Sequence, residues 1–196
     1  MEAQERETRE EAMLNREDED REETRMAQAD TINSLVAALG SRDAVTRQSA
    51  RESLAEIGKP AVAALIEALT DSSPNLRWEA AKTLTEIGNP AAAPALVQAL
   101  EDEESAVRWL AAKGLIAMGE DGLEPLLQAL IEHSDSVWFR EGAHHVLHTL
   151  VREDMALQAT PVLEALEDIE PVVEAPVAAY HVLQALRRGT PEQAQS

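Results

Sequence analysis

Val107-Arg108-Trp109-Leu110-Ala111-Ala112-Lys113-Gly114-Leu115-Ile116-Ala117-Met118-Gly119 is the stretch that decides the fold, because residues 46–58 and 76–88 repeat it without gaps. Thr46, Leu76 and Val107 share one column, Arg47, Arg77 and Arg108 the next. Ala50, Ala80 and Ala111 follow, then Leu54, Leu84 and Leu115, then Ile57, Ile87 and Met118, and Gly58, Gly88 and Gly119 close each copy. At about 100° per residue the Ala, Leu and Ile columns fall on one face of a helix with the first column. The glycine supplies the left-handed conformation that ends a helix.

Working outward, each copy is preceded by a short apolar segment. Five such segments exist: Leu35-Val36-Ala37-Ala38-Leu39, Leu65-Ile66-Glu67-Ala68-Leu69, Leu96-Val97-Gln98-Ala99-Leu100, Leu126-Leu127-Gln128-Ala129-Leu130 and Val162-Leu163-Glu164-Ala165-Leu166. The unit is therefore helix A, turn, helix B. Pro60 and Pro90 stand two residues past the closing glycine, where proline suits the first turn of the next helix. Asp43, Ser73, Ser105 and Ser136 lie where they can cap the B helices, with Pro74 at the first helical position behind Ser73. A single unit cannot bury its apolar stripe, so the units stack. No stretch alternates with period two, and the fold class is all-α, a right-handed α-α superhelix of about five helix pairs.

The repeats near 32–59, 60–89 and 90–120 are regular. In the fourth, 121–152, aligning Arg140, Ala143, Leu147 and Leu150 with the columns takes two extra residues before the helix; the ungapped alternative puts Phe139 in the Trp109 column. In the fifth, 157–189, Pro176 takes the arginine column, Pro171 and Pro176 start helix B near Ala175, and Gly189 ends it.

These columns resemble those of the HEAT-repeat family, and its short phycobilisome-lyase-like subtype in particular, over residues 32–151. The resemblance implies that B helices line a concave groove. Its floor comprises the columns about 180–240° round from the first: Gln48, Trp78, Trp109, Glu141 and Val177; Glu52, Lys82, Lys113, His145 and His181; Ala55, Thr85, Ile116, His148 and Gln184. Trp is favoured at binding hot spots, so Trp78, Trp109, Lys82, Lys113, His145 and Tyr180 are the candidate partner-binding residues, suited to an extended or helical peptide. The two Trp rings stand either open in the groove or packed sideways between B helices. Arg47, Arg77, Arg108 and Arg140, one per repeat at the edge of the core face, read as a structural ladder bonding the inter-helix turns; the family is similar in carrying such an arginine.

Composition bounds the rest. The chain of 196 residues carries 17 Lys plus Arg against 37 Asp plus Glu, a formal net charge of -20, with aromatics at 3% and no Cys. Disulfides, thiolate metal sites and thiol nucleophiles are excluded. The acidity opposes nucleic acid and anionic membranes as partners, including the basic groove that HEAT-like DNA glycosylases need. Without an apolar span or signal segment, the expected location is cytoplasmic. Residues 1–30 hold five Arg and twelve acids, a net of -7. They read as an acidic, Arg-rich tail, disordered or a solvated helix with pairs such as Glu5–Arg9; residues 190–196 read as a C-terminal tail. His144 and His148 share a face, as do Glu141 and His145, with His181 one unit on. They are the weak metal candidates, lacking an HExxH or a His-Glu dipeptide. No phosphate loop or nucleophile elbow occurs. The expected function is a non-enzymatic protein-binding scaffold without cofactor. The alternatives are a bilin lyase-like chromophore-handling subunit, which the resemblance implies, and a metal-binding HEAT-like enzyme. A solenoid end also offers a surface for homo-oligomerisation.

Overall fold

The structure is a computed structural model that describes residues 2–189, with side chains for residues 21–188. Among the described residues every regular element is helical. The A helices are α1 (Glu2–Leu39), α3 (Val62–Ala68), α5 (Ala93–Ala99), α7 (Leu123–Glu132) and α9 (Thr160–Leu166). The B helices are α2 (Ala44–Ile57), α4 (Pro74–Ile87), α6 (Ser105–Met118), α8 (Val137–Arg152) and α10 (Pro171–Gly189). Pro60 and Pro90 sit in 3-10 turns, Lys59–Ala61 and Pro90–Ala92, that lead into α3 and α5. None of the described helices is long and apolar enough to cross a membrane.

The columns of the repeat are the core. Ala50, Ala80, Ala111 and Ala143 are buried, Leu54, Leu84, Leu115 and Leu147 are completely so, and the leucines of the A helices meet them from the other side. Small alanine at one column lets backbones approach, while leucine at the next fills the space between them. Gly114 takes this further: a Cβ there would stand 2.8 Å from Leu96 Cδ1 and 2.9 Å from Thr85 Oγ1, so any larger residue requires those two side chains to shift. Phe139 is buried in the first column of the fourth unit, which places the two extra residues ahead of α8.

Two of the closing glycines are more demanding than a left-handed cap. Gly88 is left-handed (φ 63°, ψ 26°), but Gly58 (φ 69°, ψ -130°) and Gly119 (φ 60°, ψ -126°) occupy backbone space that side chains shun. Nothing lies within 4 Å of a Cβ built on Gly119. Gly119→Ala therefore isolates backbone strain, with an expected loss of about 1–3 kcal/mol. Gly88→Asn is expected to cost less, since Asn tolerates the left-handed region. Thermal unfolding of the two variants side by side checks the order. In the fourth unit Asp154 takes the positive φ instead, after α8 has run on to Arg152.

The caps differ from expectation at two of four positions. Asp43 Oδ2 accepts from the Thr46 hydroxyl at 2.7 Å and the Thr46 amide at 2.9 Å, and Ser136 Oγ accepts from the Phe139 amide. Those bonds to the ionised form, the hydroxyl's first, hold the Asp43 carboxyl below its ordinary value, so the cap is present at neutral pH and weakens as the pH falls. Ser73 stands at the cap without a side-chain bond, and Ser105 is already the first residue of α6. The turns there are built by Asp71 and Asp102, whose carboxylates accept from the Ser73 and Glu104 amides. An aspartate two residues before the cap closes an Asx turn, and the serine is left redundant.

At the N-terminal end, α1 is continuous through residue 30. Its residues 21–31 are exposed, and it meets the stack through Ile32, Leu35, Val36 and Leu39, spaced i, i+3, i+4 and i+7. The side chains of the Glu5–Arg9 pair, and the tail at 190–196, lie outside what the structure describes.

The C-terminal pair departs most from the sequence reading. Helix α10 starts at Pro171, four residues earlier than expected, and carries Pro176 inside it. A proline within the second turn removes one amide donor, and here the carbonyl concerned belongs to Val172, at the exposed helix start. Helix α10 packs on α7 and α9, while α9 takes the place beside α8. The row of B helices therefore runs α2, α4, α6, α8 and ends, and the last pair closes the stack with its roles exchanged.

Candidate functional site

The arginine column builds the frame on which the exposed face is mounted. Each arginine reaches back six residues: Arg47 Nη1 donates to the Ser41 carbonyl at 2.9 Å, Arg77 Nη1 to that of Asp71 at 3.0 Å and Arg108 Nη1 to that of Asp102 at 2.7 Å. Arg140 Nη1 donates to the Ser134 carbonyl in the same way. The planar fork leaves further donors to grip the next repeat. Arg47 Nε donates to Glu79 Oε1 at 3.0 Å. Arg77 donates to both carboxylate oxygens of Asp102, at 2.7 and 2.9 Å, and to Glu103 at 3.0 Å. Bonding to Asp102, opposed by burial, raises the Arg77 guanidinium above its ordinary pKa. Arg108 instead lies over the Trp138 ring, its Cζ 4.6 Å from the ring centroid.

On the face of the B row turned from the core, two further pairs stand side by side. Lys82 Nζ is 5.0 Å from the centroid of the Trp78 ring on α4, and Lys113 Nζ is 5.4 Å from that of Trp109 on α6. Both pairs follow from i, i+4 spacing on adjacent, equivalent helices. An ammonium over an indole face is a favourable cation–π contact at this distance. The two rings are not equivalent in burial. Trp78 is half-buried and packs on the core, while Trp109 is 57% exposed. Trp138, 47% exposed at the start of α8, adds a third aromatic under a cation. It lacks the Trp column of the other two, so only the structure brings it to Arg108.

The remaining candidates separate. His145, exposed on α8, stays on the B row. Tyr180 and His181 do not: they are on α10, which lies against α7, and their rings meet edge to face with centroids 5.8 Å apart. The expectation that they extend the Trp face is corrected by the exchange of α9 and α10. His144 and His148 stack at 5.9 Å, and His144 Nε2 lies 3.0 Å from Glu167 Oε1, tying α8 to the end of α9. Among the described residues no three His, Asp or Glu side chains are grouped as a metal site would need.

The model of the family described as HEAT repeats matches three overlapping stretches of the chain, residues 32–107, 62–148 and 94–187. No curated protein matches the sequence. Among solved structures, the chain is similar to one from the complex of CpcE and CpcF of phycocyanin lyase from Nostoc sp. PCC7120. Identity is 24%, the match covers 81% of this chain and 99% of that one, and the TM-score is 0.52. It is also similar to a designed armadillo repeat protein in complex with the peptide (KR)4, at 20% identity over 77% of this chain and 81% of that one, with a TM-score of 0.38. At 24% identity the likeness to the former is one of fold.

Proposed function

The chain belongs to the HEAT-repeat family, and we propose that it is a binding scaffold, not an enzyme, whose B row takes an extended acidic segment of a partner protein. The observation that carries this reading is the pair of Lys-over-Trp platforms on adjacent helices. On a chain of net charge -20, two lysines held over the most prominent aromatic surface favour an anionic ligand locally. Neighbouring helices pack about 8–10 Å apart, so the platforms repeat at about that interval. A peptide in the extended polyproline II form advances about 3.1 Å per residue with three residues per turn, so a carboxylate at every third position returns to the same face at about that interval. The Trp rings supply apolar contact area, and the lysines set register.

The protein carries its own reporters, because Trp78, Trp109 and Trp138 are its three tryptophans. Titration with a synthetic peptide bearing Glu at every third position is expected to change their fluorescence saturably. Trp109→Ala is expected to weaken binding by more than about 1 kcal/mol, and Lys82→Gln/Lys113→Gln to abolish the preference over a Gln-substituted peptide. Unchanged affinity in a folded Trp109→Ala variant removes this face from the site. A bilin added in parallel tests the lyase-like alternative; a new visible band on mixing would favour it over the peptide reading.

A further inference from the structure

A second site of opposite polarity lies on the A row. Between α5 and α7 the surface opens into a groove of about 520 Å³, within the range of roughly 300–1,000 Å³ usual for ligand pockets. Its floor is apolar: buried Val97, half-buried Ala129 and the buried ring of Phe139. Its rim carries the carboxylates of Glu101, Glu124 and Glu132. The one basic side chain of Lys or Arg type that lines it is Arg187, brought over from α10 because that helix lies on α7. Arg187 Nε donates to Glu124 Oε1 at 2.9 Å, so a guanidinium from another helix already occupies one end.

At the other end, His133 Nδ1 is 3.7 Å from Glu101 Oε2, and Glu132 Oε1 accepts from Gln128 at 2.7 Å. Neither partner carries a fixed positive charge. An apolar trough ending between two carboxylates suits a side chain with an apolar stem and a cationic head. The fork of a guanidinium satisfies carboxylates better than an ammonium. We infer that this groove receives an arginine of a partner protein, its stem on Val97, Ala129 and Phe139 and its guanidinium between Glu101 and Glu132. The site shares no residue with the Trp face and stands or falls separately from it.

The test is methyl NMR on the full chain with Val and Ala labelled, titrated with acetyl-Ala-Leu-Arg-Leu-Ala-amide. The salt is held at about 0.15 M, where the Debye length is about 8 Å and diffuse attraction to the acidic surface is screened. The expected result is saturable shifts at Val97 and Ala129, absent with the same peptide carrying uncharged citrulline for arginine. Glu101→Gln/Glu132→Gln, both rim positions, is expected to weaken the peptide roughly tenfold, with the helical circular dichroism unchanged. The inference is overturned if citrulline binds as well as arginine, if the double variant binds as wild type, or if Val97 and Ala129 stay still. Guanidinium ion alone binding as tightly as the peptide would overturn it too, by making this a small-cation site.

Discussion

Glu79→Ala is expected to destabilise the protein by about 3–5 kcal/mol, the range for removing one member of a buried ion pair. The Glu79 side chain is 4% exposed. Its two oxygens accept from Arg47 Nε and Arg51 Nη1, each at 3.0 Å, so one carboxylate serves two guanidiniums of the preceding repeat. Arg51 retains only the half-exposed Glu86, whose Oε1 lies 3.2 Å from its Nε. Arg47 retains the Ser41 and Arg42 carbonyls, which carry no charge. Alanine at 79 leaves Arg47 without a charged partner and Arg51 with Glu86 alone at the α2–α4 junction. Replacing all three by apolar residues, Arg47→Met/Arg51→Met/Glu79→Leu, is expected to recover part of the loss, because the desolvation cost disappears with the charges while the Ser41 and Arg42 carbonyls lose their donor. Urea unfolding of the two variants checks this. A loss below about 1 kcal/mol for Glu79→Ala would place the cluster with ordinary surface pairs and sink the argument.

The second large effect is at Phe139, the bulkiest fully buried side chain in the molecule's described part. Phe139→Ala is expected to cost about 3–5 kcal/mol, transfer and cavity terms together. Phe139→Leu keeps most of the volume and is expected to cost much less. Because a solenoid's stability is held in nearest-neighbour contacts, the damage should be local. Hydrogen exchange is expected to show α7 to α10 losing protection in Phe139→Ala while α2 and α4 keep theirs. Uniform loss along the whole chain would contradict that local picture.

These two residues show what the sequence conceals and what it reveals. Phe139 was legible in part: with two residues allowed before α8 it falls in the column of Thr46, Leu76 and Val107 on the core side, whereas the ungapped alignment puts it in the outward column of Trp109. Glu79 was not. It is one of 37 acidic residues, and its column holds Ser49, Leu110, Gly142 and Ala178 in the other repeats, so no periodic signal marks it. It matters because two arginines of the neighbouring repeat converge on it in space. The Lys-over-Trp pairs were legible as neighbours at i, i+4. The unequal exposure of Trp78 and Trp109 was not, since it depends on how closely adjacent helices approach. Trp138 under Arg108 joins two repeats and has no local signature.

The C-terminal pair marks the boundary most clearly. Ala179, Leu183 and Leu186 continue the core columns, and all three are buried or half-buried. That pattern states which face of α10 goes inward, but it does not state against which helix. With α8 already flanked by α9, the same apolar stripe is buried on α7, which carries Tyr180 and His181 off the Trp face and brings Arg187 to Glu124. The sequence by itself determined the helix-pair unit, its period, its core columns and the arginine ladder, because each follows from local helical geometry repeated at a constant step. The tertiary structure alone decided how the last pair docks, which charges meet across repeats, and that a groove opens between α5 and α7. Those outcomes depend on competition among surfaces distant in the chain, where several partners offer similar apolar area and only packing in three dimensions selects one.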